Sequence, residues 1–201
     1  RRRVRDIVKA ALNETVSGIS QSLLQRMQWA GTFHAIGSRL LRHYAPHLNI
    51  DPSFTILDRG DSADLVDSIR EQLGFAKLDK RFPRKDVCLA IYSHRVNTQC
   101  SLKETLETQF PWCAPFAEEL TQVFRAYVER KQQLSLLDYD DLLLFWHAMM
   151  QEPKFAKHVS QHFDHVLVDE YQDTNRLQAE ILLAMRPDGD GLTVVGDDAQ
   201  A

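Results

Sequence analysis

Near the end of the chain, a β-rich run, a helical run and a second β-rich run follow one another. Residues 166–168 are three apolar side chains, two of them β-branched, which predicts a short buried strand. Residues 178–185 carry apolar side chains at helical spacing, and residues 192–195 are β-rich again after a turn-rich segment. The strands of such a unit lie parallel, with their carboxyl ends on the same edge of a sheet. This order of runs therefore predicts an α/β fold with a parallel sheet.

The polar residues that follow the first strand are mostly carboxylates. Asp169 and Glu170 come directly after it, and Gln172 and Asp173 add a dipole and a further charge on the same turn. In open α/β sheets, ligands bind in the crevice beyond the carboxyl ends of the strands. An Asp there can hold a Mg²⁺ that also touches nucleotide phosphates, and the neighbouring Glu can poise a water for attack. Taken alone, an acidic turn or a helix cap explains the pair equally well.

The second strand also ends in polar groups. The residues that follow this strand include Gly196, Asp197, Asp198 and Gln200. Two polar strand ends on one sheet edge favour a ligand site more strongly than either end alone, because both sets of side chains then face the same crevice.

Both strand ends resemble known motifs. The sequence Val-Asp-Glu-Tyr-Gln-Asp-Thr-Asn at 168–175 is similar to motif II of the UvrD/Rep-type superfamily 1 DNA helicases, and Val-Val-Gly-Asp-Asp-Ala-Gln at 194–200 is similar to motif III. The order and spacing of the two motifs also match that family. The resemblance implies that Asp169 coordinates the Mg²⁺ of bound ATP, that Glu170 orients or deprotonates the attacking water, and that Gln200 senses the γ-phosphate.

The resemblance also implies an architecture. It is that of a partial RecA-like P-loop NTPase domain with a parallel sheet and an inserted all-helical subdomain. Residues 1–44 and 136–201 are then expected to form parts of the ATPase lobe, and residues 45–135 the insertion, which in the family lies against duplex DNA. The insertion is matched by position and character only: amphipathic helical patterns dominate there and strand-like runs are few.

A third segment resembles the family's motif Ic, which touches single-stranded DNA. It reads Gly-Thr-Phe-His-Ala and includes Thr32, Phe33 and His34 at the predicted start of a helix, which is expected to reach about Tyr44 and to end at Pro46. A hydroxyl, an aromatic ring and an imidazole at a helix N-terminus can meet a phosphate and stack on a base. In the alternative interpretation, Thr32 is only a helix cap and Phe33 only a core residue.

A local basic cluster is the other candidate for DNA contact. It surrounds Phe82 and Pro83 and consists of Lys77, Lys80, Arg81, Arg84 and Lys85. Such a cluster can bind phosphates, although a solvated surface explains it equally well because Asp79 and Asp86 dilute the charge.

The segment from 136 to 144 resembles the family's motif Id. Asp138 is expected to cap the helix that follows, with Asp141 in the first turn of that helix. We interpret Asp140 and Asp141 as structural residues.

Composition constrains the class of protein. The net charge of −4 means that any basic surface for nucleic acid must be local. The 3 cysteines are odd in number and form no Cys-x-x-Cys pair, which argues against a zinc site or a disulfide framework and fits a reducing cytoplasm. No apolar run approaches the ~20 residues that a membrane span needs.

The expected cofactors are ATP and Mg²⁺, and the expected partners are single-stranded and duplex DNA; protein partners are unknown. The expected activity couples ATP hydrolysis to movement along one strand and to duplex unwinding. The sequence contains no Gly-x-x-x-x-Gly-Lys-Ser/Thr loop, so we expect the phosphate-binding loop before Arg1 and the second lobe beyond Ala201. These 201 residues alone are accordingly expected to bind ATP poorly and not to hydrolyse it.

Three alternatives stay open at this stage. The chain can belong to a helicase-like subunit of a recombination nuclease complex, which shares these motifs. It can instead be a metal-dependent nuclease whose ligands are Asp169, Glu170, Asp197 and Asp198, because two-metal sites need clustered carboxylates. The last alternative is a non-catalytic DNA-binding module.

Overall fold

Helices form most of the structure. The computed structural model describes residues 29–75 and 82–197. In this part of the chain the α-helices are α1 (Phe33–Leu48), α2 (Arg59–Gln72), α3 (Lys85–Thr98), α4 (Leu102–Gln109), α5 (Ala117–Gln133), α6 (Tyr139–Gln151), α7 (Pro153–Gln161) and α8 (Arg176–Met185). Short 3-10 helices cover Pro111–Phe116 and Tyr171–Asp173. The strands are β1 (Thr55–Ile56), β2 (Leu136–Leu137), β3 (Val166–Val168) and β4 (Leu192–Val194).

The strand–helix–strand unit is present as predicted. Strands β3 and β4 pair in parallel, with Val166 opposite Leu192 and Val168 opposite Val194, and α8 connects them. Helix α8 begins at Arg176, behind a capping box of Asn175 and Gln178 that the sequence analysis did not identify. A mostly helical α/β fold with small parallel sheets is therefore confirmed, and the carboxyl ends of β3 and β4 lie on one edge.

Strand β3 is only half buried, so the prediction of a buried strand was wrong for one of its faces. Val168 is buried, whereas the side chain of Leu167 is 78% exposed. Successive side chains in a strand point to opposite faces of the sheet, and only one face of β3 packs against the helices. An apolar run alone does not distinguish these two environments.

The helices from α2 to α5 have a hydrophobic cluster of their own. All of its buried residues lie between Ala63 and Tyr127, and they include Val66, Cys88, Ile91, Leu106, Leu120 and Val123. The chain enters this helical stretch after β1 and leaves it just before β2, and these two strands pair in parallel. The stretch is thus an excursion between two paired strands.

A second cluster lies under the strand–helix–strand unit. Helices α1, α6, α7 and α8 supply its buried residues, among them Leu40, Leu143, Trp146, Val159, Leu177 and Ile181. Phe54 belongs to neither of these clusters, because it packs with Leu41, Leu137 and Leu142 in a smaller third one.

Helix α1 continues past its predicted end. Pro46 lies inside its last turn, and Asn49 ends the helix in a left-handed conformation with φ 53°. A proline removes one backbone donor from a helix. Here the turn holds because Tyr44 and Ala45 are buried and the Asn49 N–H donates to the Ala45 carbonyl.

Candidate functional site

The two predicted carboxylates lie at the end of β3, beside the end of β4. Main-chain pairing continues beyond the strands, since the Val195 N–H donates to the Val168 carbonyl (2.8 Å) and the Tyr171 N–H donates to the Val195 carbonyl (2.9 Å). Asp169 and Glu170 are exposed between these bonds. The turn that carries both carboxylates is therefore fixed to the end of β4.

Gln172 joins the two strand ends through its side-chain amide. Its Nε2 donates to Glu170 Oε2 (2.7 Å), and its Oε1 accepts from the backbone N–H of Asp197 (3.0 Å). Glu170 itself has a left-handed backbone, with φ 54° and ψ 45°. Non-glycine residues seldom adopt this conformation, which costs about 1–3 kcal/mol and persists where the surroundings fix it. Gln172 is one such restraint on Glu170.

Gly196 allows the close approach of the two segments. A Cβ at this position would lie 2.9 Å from Gln172 Oε1 and 3.3 Å from the Gln172 nitrogen. The first distance is shorter than van der Waals contact, so a side chain here would displace the Gln172 amide from its bond to the Asp197 N–H and crowd the Gln172 nitrogen.

The chemistry of this strand end fits Mg²⁺ with a nucleotide. Within 29–75 and 82–197, no Lys, Arg or His forms an ion pair with Asp169 or Glu170. The same residues contain no group of three or more His, Cys, Asp or Glu that converges on one point. Mg²⁺ commonly binds through one or two carboxylates, with waters and phosphate oxygens completing its shell. Asp169, which accepts one hydrogen bond from the Glu170 N–H (3.0 Å), can supply such a carboxylate.

Thr32 and Phe33 have the structural roles of the alternative interpretation, while their contact with DNA stays a prediction. Thr32 is the N-cap of α1, with its Oγ1 accepting from the Ala35 N–H (3.2 Å), yet the residue is exposed. Phe33 is half-buried and packs beside Trp146, with ring centroids 6.1 Å apart. Capping and core packing are therefore real roles here, and the exposed hydroxyl of Thr32 remains accessible at the helix N-terminus.

His34 lies beside the start of α6. Its ring meets the ring of Tyr139 edge-on, with centroids 5.4 Å apart. Burial lowers the pKa of His34 from its ordinary value, and the nearby Asp140 carboxylate opposes this effect. The lowered pKa favours the neutral imidazole, which can donate or accept a hydrogen bond without carrying a positive charge.

The basic cluster is described only in part. Arg84 is exposed at the N-cap of α3, whereas Lys85 forms an ion pair with Asp64 (2.5 Å). A phosphate would have to compete with Asp64 for Lys85. Three of the predicted site residues lie outside the described residues, namely Lys80, Arg81 and Gln200. Lys77 of the basic cluster and Asp198 also lie outside them.

The Asp138 segment is structural, as predicted. Asp138 Oδ1 accepts from the Asp141 N–H (2.8 Å), and Asp141 Oδ2 accepts from the Asp138 N–H (3.0 Å), which is a capping box at the start of α6. Both carboxylates also contact the buried Lys131 Nζ at 2.6 Å. Sequence reasoning missed Lys131, although its spacing from Phe124 and Tyr127 places it on the buried stripe of α5.

Comparisons with known proteins identify a family for this chain. The family model described as UvrD/REP helicase N-terminal domain matches residues 1–201. "DNA helicase II" of Escherichia coli is 29% identical over 86% of this chain, and "ATP-dependent DNA helicase UvrD1" of Mycobacterium bovis is 33% identical over 96%. "ATP-dependent DNA helicase PcrA" of Leuconostoc citreum is 27% identical over 100% of it.

The matches cover 23%, 26% and 25% of these relatives, so the chain spans about a quarter of their length. In the part of the chain that the structure describes, no helix is long and apolar enough to cross a membrane. The family match over every residue, together with the strand-end carboxylates, establishes the relationship. The chain belongs to the UvrD/REP helicase N-terminal domain family.

Proposed function

We propose that the protein containing this chain is an ATP-dependent DNA helicase, which couples hydrolysis of Mg-ATP to movement along single-stranded DNA and to duplex unwinding. One observation carries the proposal: in a chain matched over its whole length by a helicase family, two adjacent parallel strands end together and expose Asp169 and Glu170. This is the position where nucleotides bind in open α/β sheets.

The two carboxylates have different roles in this proposal. The exposed carboxylate of Asp169 would hold the Mg²⁺, which supplies charge neutralisation to the phosphates when it is bound. Glu170 would orient the attacking water and accept its proton. A general base must be held at hydrogen-bond distance from the proton that it accepts. The Gln172 amide, 2.7 Å from the Glu170 carboxylate, supports this role by restraining it.

The segment that follows β4 would respond to the bound nucleotide. The Asp197 N–H and the Glu170 carboxylate share the Gln172 side chain, and Gly196 keeps the two segments in contact. Movement of Glu170 would therefore reach the end of β4 directly. We propose that Gln200, three residues after Asp197 in the sequence, senses the γ-phosphate.

The DNA contacts of the proposal lie on two surfaces. Thr32, Phe33 and His34 at the start of α1 would contact a single strand, through the exposed hydroxyl and the neutral imidazole. The helical excursion between β1 and β2 would lie against duplex DNA as the inserted subdomain, and the separate hydrophobic cluster of α2 to α5 supports its independence. Its phosphate contacts would come from Lys80, Arg81, Arg84 and Lys85.

Strand separation tests this function. The intact protein, given a fluorescent forked duplex with Mg²⁺ and ATP, is expected to release one strand, and Asp169→Asn is expected to abolish the release because Mg²⁺ loses its carboxylate ligand. Asp188→Asn makes the same change at an exposed position after α8 and should unwind like the wild type. Unwinding by Asp169→Asn at the wild-type rate would refute the proposal. Strand cleavage with Mg²⁺ alone would support a metal-dependent nuclease instead.

A further inference from the structure

The side chain of Asn97 bridges two distant parts of the chain. Its Nδ2 donates to Asp140 Oδ1 (2.8 Å), and its Oδ1 accepts from Asn175 Nδ2 (2.7 Å). Asn97 lies near the end of α3, Asp140 in the first turn of α6, and Asn175 at the N-cap of α8. One half-buried amide thus connects the helical excursion to two helices of the other cluster.

The orientation of each amide in this bridge is fixed by further bonds. Asn175 Oδ1 accepts from the Gln178 N–H (2.9 Å), which leaves its Nδ2 to face Asn97. Asn97 Nδ2 also donates to the Ser93 carbonyl (2.9 Å), so its oxygen must face Asn175. Neither amide can be reversed without placing two like groups against each other.

The two hydrogen-bond partners of Asn97 are connected to the two segments that are proposed to bind ligands. Asp140 follows Tyr139, whose ring contacts His34 of the proposed DNA-facing segment. Asn175 closes the turn that begins with Asp169, and it caps α8 beneath that turn. The bridge therefore stands between the residues proposed to touch DNA and those proposed to touch the nucleotide.

We propose that Asn97 is a positioning residue that couples nucleotide binding at the 169–175 turn to single-stranded DNA binding at residues 32–34. This inference rests on the proposed function. Both hydrogen bonds are short, so a shift of the turn by about 1 Å would break one of them unless α3 and α6 moved with it. Such a connection couples the two sites only if the binding of each ligand changes it. A thermodynamic cycle of the two binding equilibria measures this coupling.

The experiment measures binding, not catalysis. The affinity of the intact protein for a fluorescent oligothymidylate is measured by anisotropy, without and with Mg²⁺ and a non-hydrolysable ATP analogue. Couplings between sites commonly change affinity by about 5- to 150-fold. We expect the wild-type ratio of the two Kd values to differ from one by at least about fivefold, and the ratio of Asn97→Ala to fall within about twofold of one.

Two matched variants separate coupling from folding. Asn175→Ser keeps an N-cap acceptor for α8 but has no amide N–H to donate to Asn97, so it should lose the coupling as Asn97→Ala does. Thr98→Ala removes the neighbouring hydroxyl, which among the described residues donates only to the His94 carbonyl within α3 (2.7 Å), and it should keep the wild-type ratio. The double variant Asn97→Ala/Asn175→Ser should lose no more than either single variant, because both break the same bridge.

Each outcome is decisive. A wild-type ratio retained by Asn175→Ser and Asn97→Ala would overturn the inference while leaving the proposed function intact, as would a wild type that binds both ligands with a ratio of one. If the wild type binds neither oligothymidylate nor the nucleotide analogue, the proposed function fails and the inference fails with it.

Discussion

At the scale of single residues, the buried Lys131 forms ion pairs with two carboxylates at once. It is 2% exposed, with its ammonium 2.6 Å from Asp138 Oδ2 and from Asp141 Oδ2 and 4.3 Å from the centre of the Tyr127 ring. Burial, and the proximity of Asp138, raise the pKa of Asp141 above its ordinary value, and Lys131 opposes that shift. The ammonium therefore offsets the cost of burying two carboxylates at the start of α6.

Replacing this lysine is expected to destabilise the start of α6. Lys131→Met should lower the local free energy of unfolding by about 3–5 kcal/mol, because it leaves buried carboxylates without a cation. Amide hydrogen exchange of α6 in the intact protein measures this quantity. Arg130→Met, at a neighbouring surface position that bonds only Gln72 among the described residues, should change it by less than about 0.5 kcal/mol. Unchanged exchange in Lys131→Met would show that the ion pairs contribute nothing there.

Among the helices and strands, the sequence predicted those features that depend on the local pattern of residues. The β3–α8–β4 unit was predictable because each run has its own period and turn residues separate them. The exposure of Leu167 and the continuation of α1 through Pro46 were not, since both depend on which other elements pack nearby. The bridging role of Asn97 had no signal in the sequence, because its partners Asp140 and Asn175 are 43 and 78 residues away along the chain.

The same distinction holds for the candidate site. Asp169 and Glu170 could be predicted from their place after a strand, whereas the bridging role of Gln172 depends on the register between β3 and β4. Register sets which side chains meet across two strands, and a single sequence leaves it open.

Contact between the ends of β3 and β4 depends on Gly196. Gly196→Ala should destabilise this contact by about 1–3 kcal/mol, because the new Cβ overlaps the Gln172 side chain. Faster amide exchange at Tyr171 and Val195, whose N–H groups bond across the two segments, would report the loss. Exchange at Val123, in the separate cluster of α2 to α5, serves as the internal control. Wild-type exchange at both reporting amides would show that the contact accommodates a methyl group at position 196 and does not depend on glycine.

The described residues form two large hydrophobic clusters and a small third one, and both apolar packing by Val96 and polar bonds join the two large clusters. One cluster, in α2 to α5, would face duplex DNA; the other, in α1 and α6 to α8, lies beneath the strand ends and the start of α1. The polar connections include the pairing of β1 with β2, the bonds from Lys131 and Tyr127 to Asp138, and the Asn97 bridge. This arrangement suits a protein in which a change at the nucleotide must reach the DNA, because defined bonds connect the two parts.

Steady-state hydrolysis of ATP by the intact protein, with Mg²⁺ and saturating single-stranded DNA, tests most directly the proposal that Glu170 activates water. Glu170→Gln is expected to lower kcat by about 10²- to 10⁴-fold, the usual contribution of a general base, while ATP binding persists. Glu118→Gln, the same change at an exposed residue of α5, should leave kcat unchanged. Hydrolysis by Glu170→Gln at the wild-type rate would contradict the account.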